Sequence, residues 1–312
     1  MARIKLQGIF SALPTPFTPD QTSIDIDSLR ELVRFNLRSG VHGLLACGGT
    51  GEFPNLSMEE RELVMKTVVS ETKGRATVLA TTGFPDTKRT IEMTKMAKDA
   101  GVSVAMIPKP YGGTIPTAEG MLQHFRDVAE AVDLPLCAYI APITSLLDSV
   151  DLLWQGSSSI ITRDFFKKLV QIQNVSAFKD TSCNMFLLQE VIKTVGDKLS
   201  VMAGTDRITM PSLIVGCNGS ITASACITPR QHVELFNAVQ RGDIKTAKEI
   251  HYRLLPLYTA IELLPNFPSA VKTAIDLLGM KAGPVRKPCQ PLTQSEVSEL
   301  RLAMVEAGVL NA

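Results

Sequence analysis

The chain of 312 residues carries 32 Lys and Arg against 31 Asp and Glu, a formal net charge of +1, and is 45% hydrophobic and 20% charged. This ordinary globular usage argues against a disordered chain and supplies no basic surface that could track a phosphate backbone, so nucleic acid is not an expected partner. No apolar run approaches the roughly 20 residues of a membrane helix. The opening stretch MARIKLQGIFSALPTPF is broken by Pro14 and Pro16 and has no small-residue cleavage site, so a soluble protein with no membrane association is expected.

Short apolar runs of β-forming residues alternate with amphipathic helical stretches, the pattern of repeated βα units on a parallel sheet. In chain order the strands are expected at GIFSAL (8–13), GLLAC (43–47), TVLATT (77–82), SVAMIP (103–108), LPLCAYI (134–140), VSAFK (175–179), LSVMAG (199–204) and GSIT (219–222). Helices fall between them at IDSLRELVRFNLRSG, MEERELVMKTVVSETKG, DTKRTIEMTKMAKDAG, TAEGMLQHFRDVAEAV, TRDFFKKLVQIQ, MFLLQEVIKTVG and DRITMPSLIVG, several ending at a glycine able to close a helix. Right-handed crossovers between eight adjacent parallel strands curl the sheet one way and predict an α/β fold, a (β/α)8 barrel; an open doubly wound sheet is the alternative. From about Thr228 the pattern is helical throughout. The expected division is therefore a barrel over 1–230, then the last barrel helix and a small C-terminal helical appendage over 231–312, suited to capping the barrel or to subunit association.

Six cysteines, Cys47, Cys137, Cys183, Cys217, Cys226 and Cys289, stand singly with no C-x-x-C pair, and His42, His124, His232 and His251 form no ligand spacing. A reduced, cytoplasmic setting without a metal or cofactor is the expectation. In such a barrel the chemistry sits at the carboxyl ends of the strands, which selects few residues. Lys179 ends an apolar run where a charged side chain facing a dry interior is costly. Desolvation favouring a free amine would make it a nucleophile for a ketone carbonyl; the plain alternative is a strand-end lysine paired with Asp180 or reaching solvent. Tyr139, ending strand five, offers a phenol for proton relay or simply fills the core. The loop Gly48-Gly49-Thr50-Gly51-Glu52 could converge backbone N–H groups and the Thr50 hydroxyl on a carboxylate, or could merely connect a strand to a helix; it lacks the spacing and lysine of a phosphate loop. Asp206 is expected to cap the next helix, GCNGS to form a tight turn, and His124 to lie on a helix face.

Taken in order, ALPTPF, GGTGEFPNLSMEER, PKPY, AYIAP, AFKDTS, AGTD, GCNGSIT and GPVRKP span nearly the whole chain, which resembles the family of dihydrodipicolinate synthases and N-acetylneuraminate lyases. Those are class I aldolases acting on pyruvate or related 2-oxo acids. The resemblance implies Lys179, Tyr139 and Thr50 as the catalytic residues, with a Schiff base at Lys179 and Tyr139 as proton shuttle. It also implies Gly48, Gly49 and Thr50 holding the 2-oxo acid carboxylate, with Gly204 and Ile221 also lining the substrate and Tyr111 as a possible further tyrosine. It implies an aldehyde or sugar acid as the second partner and a homotetramer or homodimer. The protonated imine is an electron sink, so no metal or cofactor is called for.

Three departures bear on the substrate. Gly49 stands where many relatives carry a second hydroxyl residue. Ile140 follows Tyr139 where the synthases have asparagine, and no arginine follows shortly downstream to grip a second carboxylate, since the chain reads Ala141-Pro142-Ile143-Thr144-Ser145. PKPYGGTIP aligns imperfectly with the family's double tyrosine. GGTGEF is closer to relatives acting on deoxy-sugar acids, and GEFPNLS is similar to hydroxy-oxoglutarate aldolases. The favoured reading is a 2-oxo acid aldolase of unspecified acceptor; the alternatives are a Schiff-base dehydratase of a deoxy-sugar acid, dihydrodipicolinate synthase, and a non-catalytic carboxylate-binding barrel.

Overall fold

A computed structural model describes residues 3–111, 117–140 and 162–311. Eight parallel strands close into a barrel in chain order: β1 (Gly8–Ala12), β2 (Gly43–Ala46), β3 (Thr77–Thr81), β4 (Val104–Pro108), β5 (Leu136–Ile140), β6 (Val175–Asp180), β7 (Ser200–Ala203) and β8 (Gly219–Thr222). Every residue of β1, β2, β4, β6, β7 and β8 is buried, as expected of parallel strands covered on both faces. The expected barrel is therefore borne out, and the open sheet is not. No helix among the described residues is long and apolar enough to cross a membrane.

The contacts divide the chain into two compact units, Met1–Gln7 with Thr81–Ser220, and Gly8–Ala80 with Ile221–Ala312. The first unit holds α3 (Thr87–Asp99), α4 (Ala118–Ala131), α5 (Arg163–Leu169), α6 (Met185–Val195) and α7 (Thr209–Ile214). Its apolar core lies between strands and helices, where Phe166 meets Phe178 edge-on at 4.8 Å between ring centroids. His124 is buried in α4, on a helix face as expected, with Nδ1 2.9 Å from the Thr87 hydroxyl. The second unit holds α1 (Ile26–Arg38), α2 (Met58–Thr72), α8 (Pro229–Gln240), α9 (Ile244–Leu263), α10 (Phe267–Leu277) and α11 (Gln294–Glu306).

Helix starts follow the capping chemistry in the sequence. Ser57 opens α2 with a reciprocal capping box, accepting from the Glu60 N–H while Glu60 accepts from its own N–H. Asn184 caps α6 through Leu187 N–H. The expected cap at Asp206 is not formed: Asp206 is the first residue of a 3-10 turn, Asp206–Ile208, and Thr205 precedes it without a side-chain cap bond. The single helix expected over 206–216 is split into that turn and the short α7, in keeping with Pro211 near its start, which has no N–H to give. The helix expected over 162–173 stops at Leu169. GCNGS does more than turn, because Asn218 clamps Val201, donating its N–H to the Val201 carbonyl at 2.8 Å and accepting the Val201 N–H through Oδ1 at 2.8 Å.

Glu60 also joins α2 to the Arg286 guanidinium through two hydrogen bonds, 2.7 and 2.6 Å. These bonds chiefly hold its carboxyl below its ordinary value of 4.5, with burial opposing. The native state then binds fewer protons than the unfolded chain in the window beneath 4.5, so this contribution is complete above that value and lost as pH falls through the folded pKa. Thermal unfolding scanned from neutral pH downward should show the wild-type midpoint falling through this window, with a shallower fall in Glu60→Gln; parallel curves would contradict the assignment.

Candidate active site

In the parallel pairing of β5 with β6, Tyr139 and Lys179 are Cα partners, as are Ala138 and Phe178. Alternation along a strand separates these rows: Ala138 and Phe178 join the core beneath the helices, and Tyr139 and Lys179 point to the opposite face. Lys179 is 7% exposed, and its Nζ lies 4.6 Å from the centroid of the Tyr139 ring. Strand β6 runs one residue beyond the expected end, so Asp180 is also strand. Its carboxyl accepts the Ser182 N–H and hydroxyl, both at 3.0 Å, and burial raises its pKa. The Lys179 side chain thus has neither solvent nor Asp180 as its partner; among the described residues its amine makes no hydrogen bond and no ion pair. An ammonium over an aromatic face gains about 0.5–2 kcal/mol, a partial offset to burial without a counter-charge.

Cys137, two residues before Tyr139, is the neighbouring nucleophile, but burial pushes its thiol up to about 12 and keeps it protonated, with Lys179 opposing that shift weakly. That leaves the Lys179 amine as the candidate nucleophile of this cluster. Gly204 follows β7, and its N–H donates to the Asp180 carbonyl at 2.6 Å. A Cβ on Gly204 would stand 2.8 Å from Lys179 Cε and 2.1 Å from Thr181 Oγ1. Thr181 went unnoticed in the sequence; its buried hydroxyl has no hydrogen-bond partner among the described residues. A free hydroxyl two residues from the candidate amine was the available signal.

The second unit carries the glycine loop. Glu52 N–H donates to Gly49 O at 3.0 Å and Phe53 N–H to Gly48 O at 3.2 Å, while Thr15 Oγ1 donates to Gly51 O at 2.8 Å, so the turn is stitched at both ends. Cys47, expected in the strand, lies beyond β2 with φ 52°, the left-handed conformation that turns the chain into this loop. Gly48 and Thr50 are buried, Gly49 is exposed. Gly49 has no positive φ, and a Cβ there would meet nothing within 4 Å. Glycine is not demanded by the backbone, so Gly49→Ala should leave the protein at least as stable, by up to about 1 kcal/mol from the stiffer unfolded chain; a lower urea midpoint would contradict this.

Ile221 is fully buried in β8, in the second unit. Tyr111 is half-buried three residues beyond the end of β4. Ala141 to Ser145, where the family arginine is missing, lie outside the described residues. A groove of about 700 Å3 is walled by Glu119, Arg126, Lys168 and Asn174 among others, and contains none of the candidate residues. Among the described residues no three His, Cys, Asp or Glu side chains come together as metal ligands.

Fold and side chains together define a (β/α)8-barrel protein with a buried amine at the carboxyl end of its sixth strand. The chain belongs to the Dihydrodipicolinate synthetase family, whose sequence model matches residues 5–307. It is 36% identical over 296 residues to a 4-hydroxy-tetrahydrodipicolinate synthase of Methanothrix thermoacetophila, covering 95% of each chain. Among solved structures it is similar to dihydrodipicolinate synthase from Aquifex aeolicus, with TM-score 0.86 and 32% identity over 98% of this chain and 100% of that one. It is also similar to the chloride-inhibited dihydrodipicolinate synthase from Acinetobacter baumannii complexed with pyruvate, with TM-score 0.88 and 29% identity over 98% and 100%.

Proposed function

We propose that this chain is a lyase of the class I aldolase type, forming a Schiff base between Lys179 and pyruvate or a related 2-oxo acid and making or breaking an adjacent C–C bond. The observation that carries this reading is Lys179 itself, buried, without a counter-charge among the described residues and set over the Tyr139 ring. Its nitrogen lone pair adds to the C2 carbonyl; protonation and loss of water leave an iminium. Cleavage of the C3–C4 bond then sends its electron pair toward the iminium nitrogen, giving an enamine and releasing an aldehyde; the reverse joins the two. In this scheme the Tyr139 hydroxyl moves the proton between the bound oxygen and the reacting group, and Gly48, Gly49 and Thr50 take the carboxylate, with Gly204 and Ile221 along the substrate and Tyr111 as a possible further contact.

The departures bear on the second substrate. The relatives are named for a synthase, but this chain has no arginine between Tyr139 and Arg163 to hold a second carboxylate. A dehydratase reading draws on Gly49, whose open side leaves room for a hydroxylated chain; there the iminium would lose a C3 proton to give the enamine, whose electron pair expels the C4 hydroxyl, protonated on leaving as water, instead of a C–C bond being broken. The six free cysteines support a reduced, cytoplasmic setting, and a homotetramer or homodimer is the proposed assembly, readable by sedimentation.

Borohydride reduction in the presence of pyruvate, then of other 2-oxo acids and deoxy-sugar acids, tests the reading. The expected result is an added mass located on the Lys179 peptide, with turnover of at least one aldol or sugar-acid substrate. Ligand-dependent thermal stabilisation with no adduct and no product would replace it with a carboxylate-binding barrel.

A further inference from the structure

Glu52 closes the glycine loop in the left-handed conformation, φ 55°, which costs a non-glycine residue on the order of 1 kcal/mol or more. Something must hold it there. Its carboxylate is buried, with Oε1 2.6 Å from Lys272 Nζ and Oε2 accepting the Arg286 N–H at 2.9 Å. The Lys272 and Glu52 side chains are only 2% and 1% exposed. Lys272 Nζ also donates to the Pro284 carbonyl at 2.7 Å and lies 4.2 Å from the Phe17 ring centroid. The Arg286 guanidinium lies 4.2 Å from the same ring, and donates to the Gln21 and Asn55 carbonyls as well as to Glu60. Helix α10 supplies Lys272, the 283–286 segment supplies Pro284 and Arg286, and the chain after β1 supplies Phe17. Pro284 and Phe17 hold Lys272, Phe17 also backs Arg286, and the Lys272 Nζ and Arg286 N–H hold one carboxylate at the end of the loop.

A buried ion pair is a poor way to gain stability, because desolvating two charges offsets their attraction and a well-packed neutral pair of the same shape is often as stable. Its strength is directional: the carboxylate must sit where both donors reach it. Glu52 N–H is bonded to Gly49 O at 3.0 Å, and Gly51, which joins Glu52 to Thr50, has its carbonyl held by the Thr15 hydroxyl at 2.8 Å. A displacement of Glu52 therefore passes directly to Gly49, Thr50 and Gly51.

We infer that Glu52 and Lys272 are positioning residues that fix the backbone N–H groups and hydroxyl of the Gly48–Thr50 loop in the geometry required to bind the carboxylate of a 2-oxo acid; this rests on the proposal that the loop takes that carboxylate. Neither residue touches substrate in this assignment. Glu52→Gln leaves a buried ammonium without its carboxylate, and Lys272→Met leaves a buried carboxylate without its ammonium, so each single variant lowers the thermal midpoint. The double variant Glu52→Gln/Lys272→Met removes both charges and recovers most of the midpoint.

The deciding quantity is the pyruvate concentration at half-maximal borohydride trapping, measured well below the unfolding transition. In the double variant it rises by about tenfold or more, while trapping at saturating pyruvate stays near the wild-type extent. A double variant with recovered midpoint and unchanged half-saturation overturns the inference and leaves the pair a structural element. Where the double variant does not fold, Lys272→Arg serves instead: it keeps the charge but not the compact ammonium geometry, and an unchanged half-saturation there overturns the inference equally. Failure of wild-type protein to trap any pyruvate overturns the Schiff-base reading alone. The half-saturation is then read from pyruvate-dependent thermal stabilisation, where a wild-type value in the double variant again overturns the positioning role.

Discussion

Lys179→Met is expected to abolish borohydride-dependent attachment of pyruvate and to lower kcat by about three orders of magnitude or more, while the thermal midpoint stays at or above that of the wild type. Both halves follow from one observation, the burial of an amine with neither hydrogen bond nor ion pair among the described residues. Methionine approximates the lysine stem in length and flexibility and fills the space beside Tyr139 without a charge to desolvate. Groups that serve chemistry are commonly held at a cost in stability, so their removal exchanges activity for stability. A lysine that merely stabilised the barrel would give the reverse, a lower midpoint with trapping intact. Lys179→Arg separates charge from nucleophilicity: guanidinium remains cationic and can lie over the Tyr139 ring, yet it forms no imine, so it should be as inactive as methionine. An adduct found on another residue in either variant, Lys109 at the end of β4 being the first to inspect, would remove Lys179 from the centre of the mechanism.

The barrel was legible because each strand is a short apolar run between amphipathic helices, and burial on both faces leaves such runs little else to be. The ends were less so. Cys47 reads as strand by side chain and leaves it by a backbone angle, and the stretch after Thr205 reads as one helix although it breaks into a 3-10 turn and a short helix at Thr209. Lys179 stood out as a charge in an apolar run and Tyr139 as a phenol at the end of strand five, while their pairing by register appears only in the fold. The support behind the glycine loop was invisible. Arg286 lies 234 residues from Glu52, and Lys272 sits in an ordinary amphipathic pattern, so nothing local marks either as the partner of a buried carboxylate. GPVRKP stood out by resemblance alone, and its physical content appears only when Arg286 is seen bonded to Glu52 and Glu60. Thr181 was obscure for a related reason, and Gly204 was marked by resemblance alone: what sets both apart is their closeness to each other and, for Gly204, to the lysine stem, a quantity fixed by the spacing of β6 and β7.

That spacing makes Gly204→Ala the most damaging small substitution expected outside Lys179. The added methyl would lie 2.1 Å from Thr181 Oγ1, 2.7 Å from the Asp180 carbonyl oxygen and 2.8 Å from Lys179 Cε. Rotation of the threonine can relieve the first contact. The second is backbone, already held to Gly204 by a 2.6 Å hydrogen bond, and the third is the stem that carries the amine. The strands must part or the lysine must leave its place over Tyr139. Overpacking of this kind costs about 1–3 kcal/mol, and displacing a reacting atom by about 1 Å can slow a reaction about a hundredfold. Gly204→Ala should therefore lower the thermal midpoint and slow the single-turnover rate of iminium trapping, and adding Thr181→Ala should recover part of the midpoint but little of the rate. Trapping at the wild-type rate in Gly204→Ala would mean that the amine reacts from a position other than the one over the Tyr139 ring.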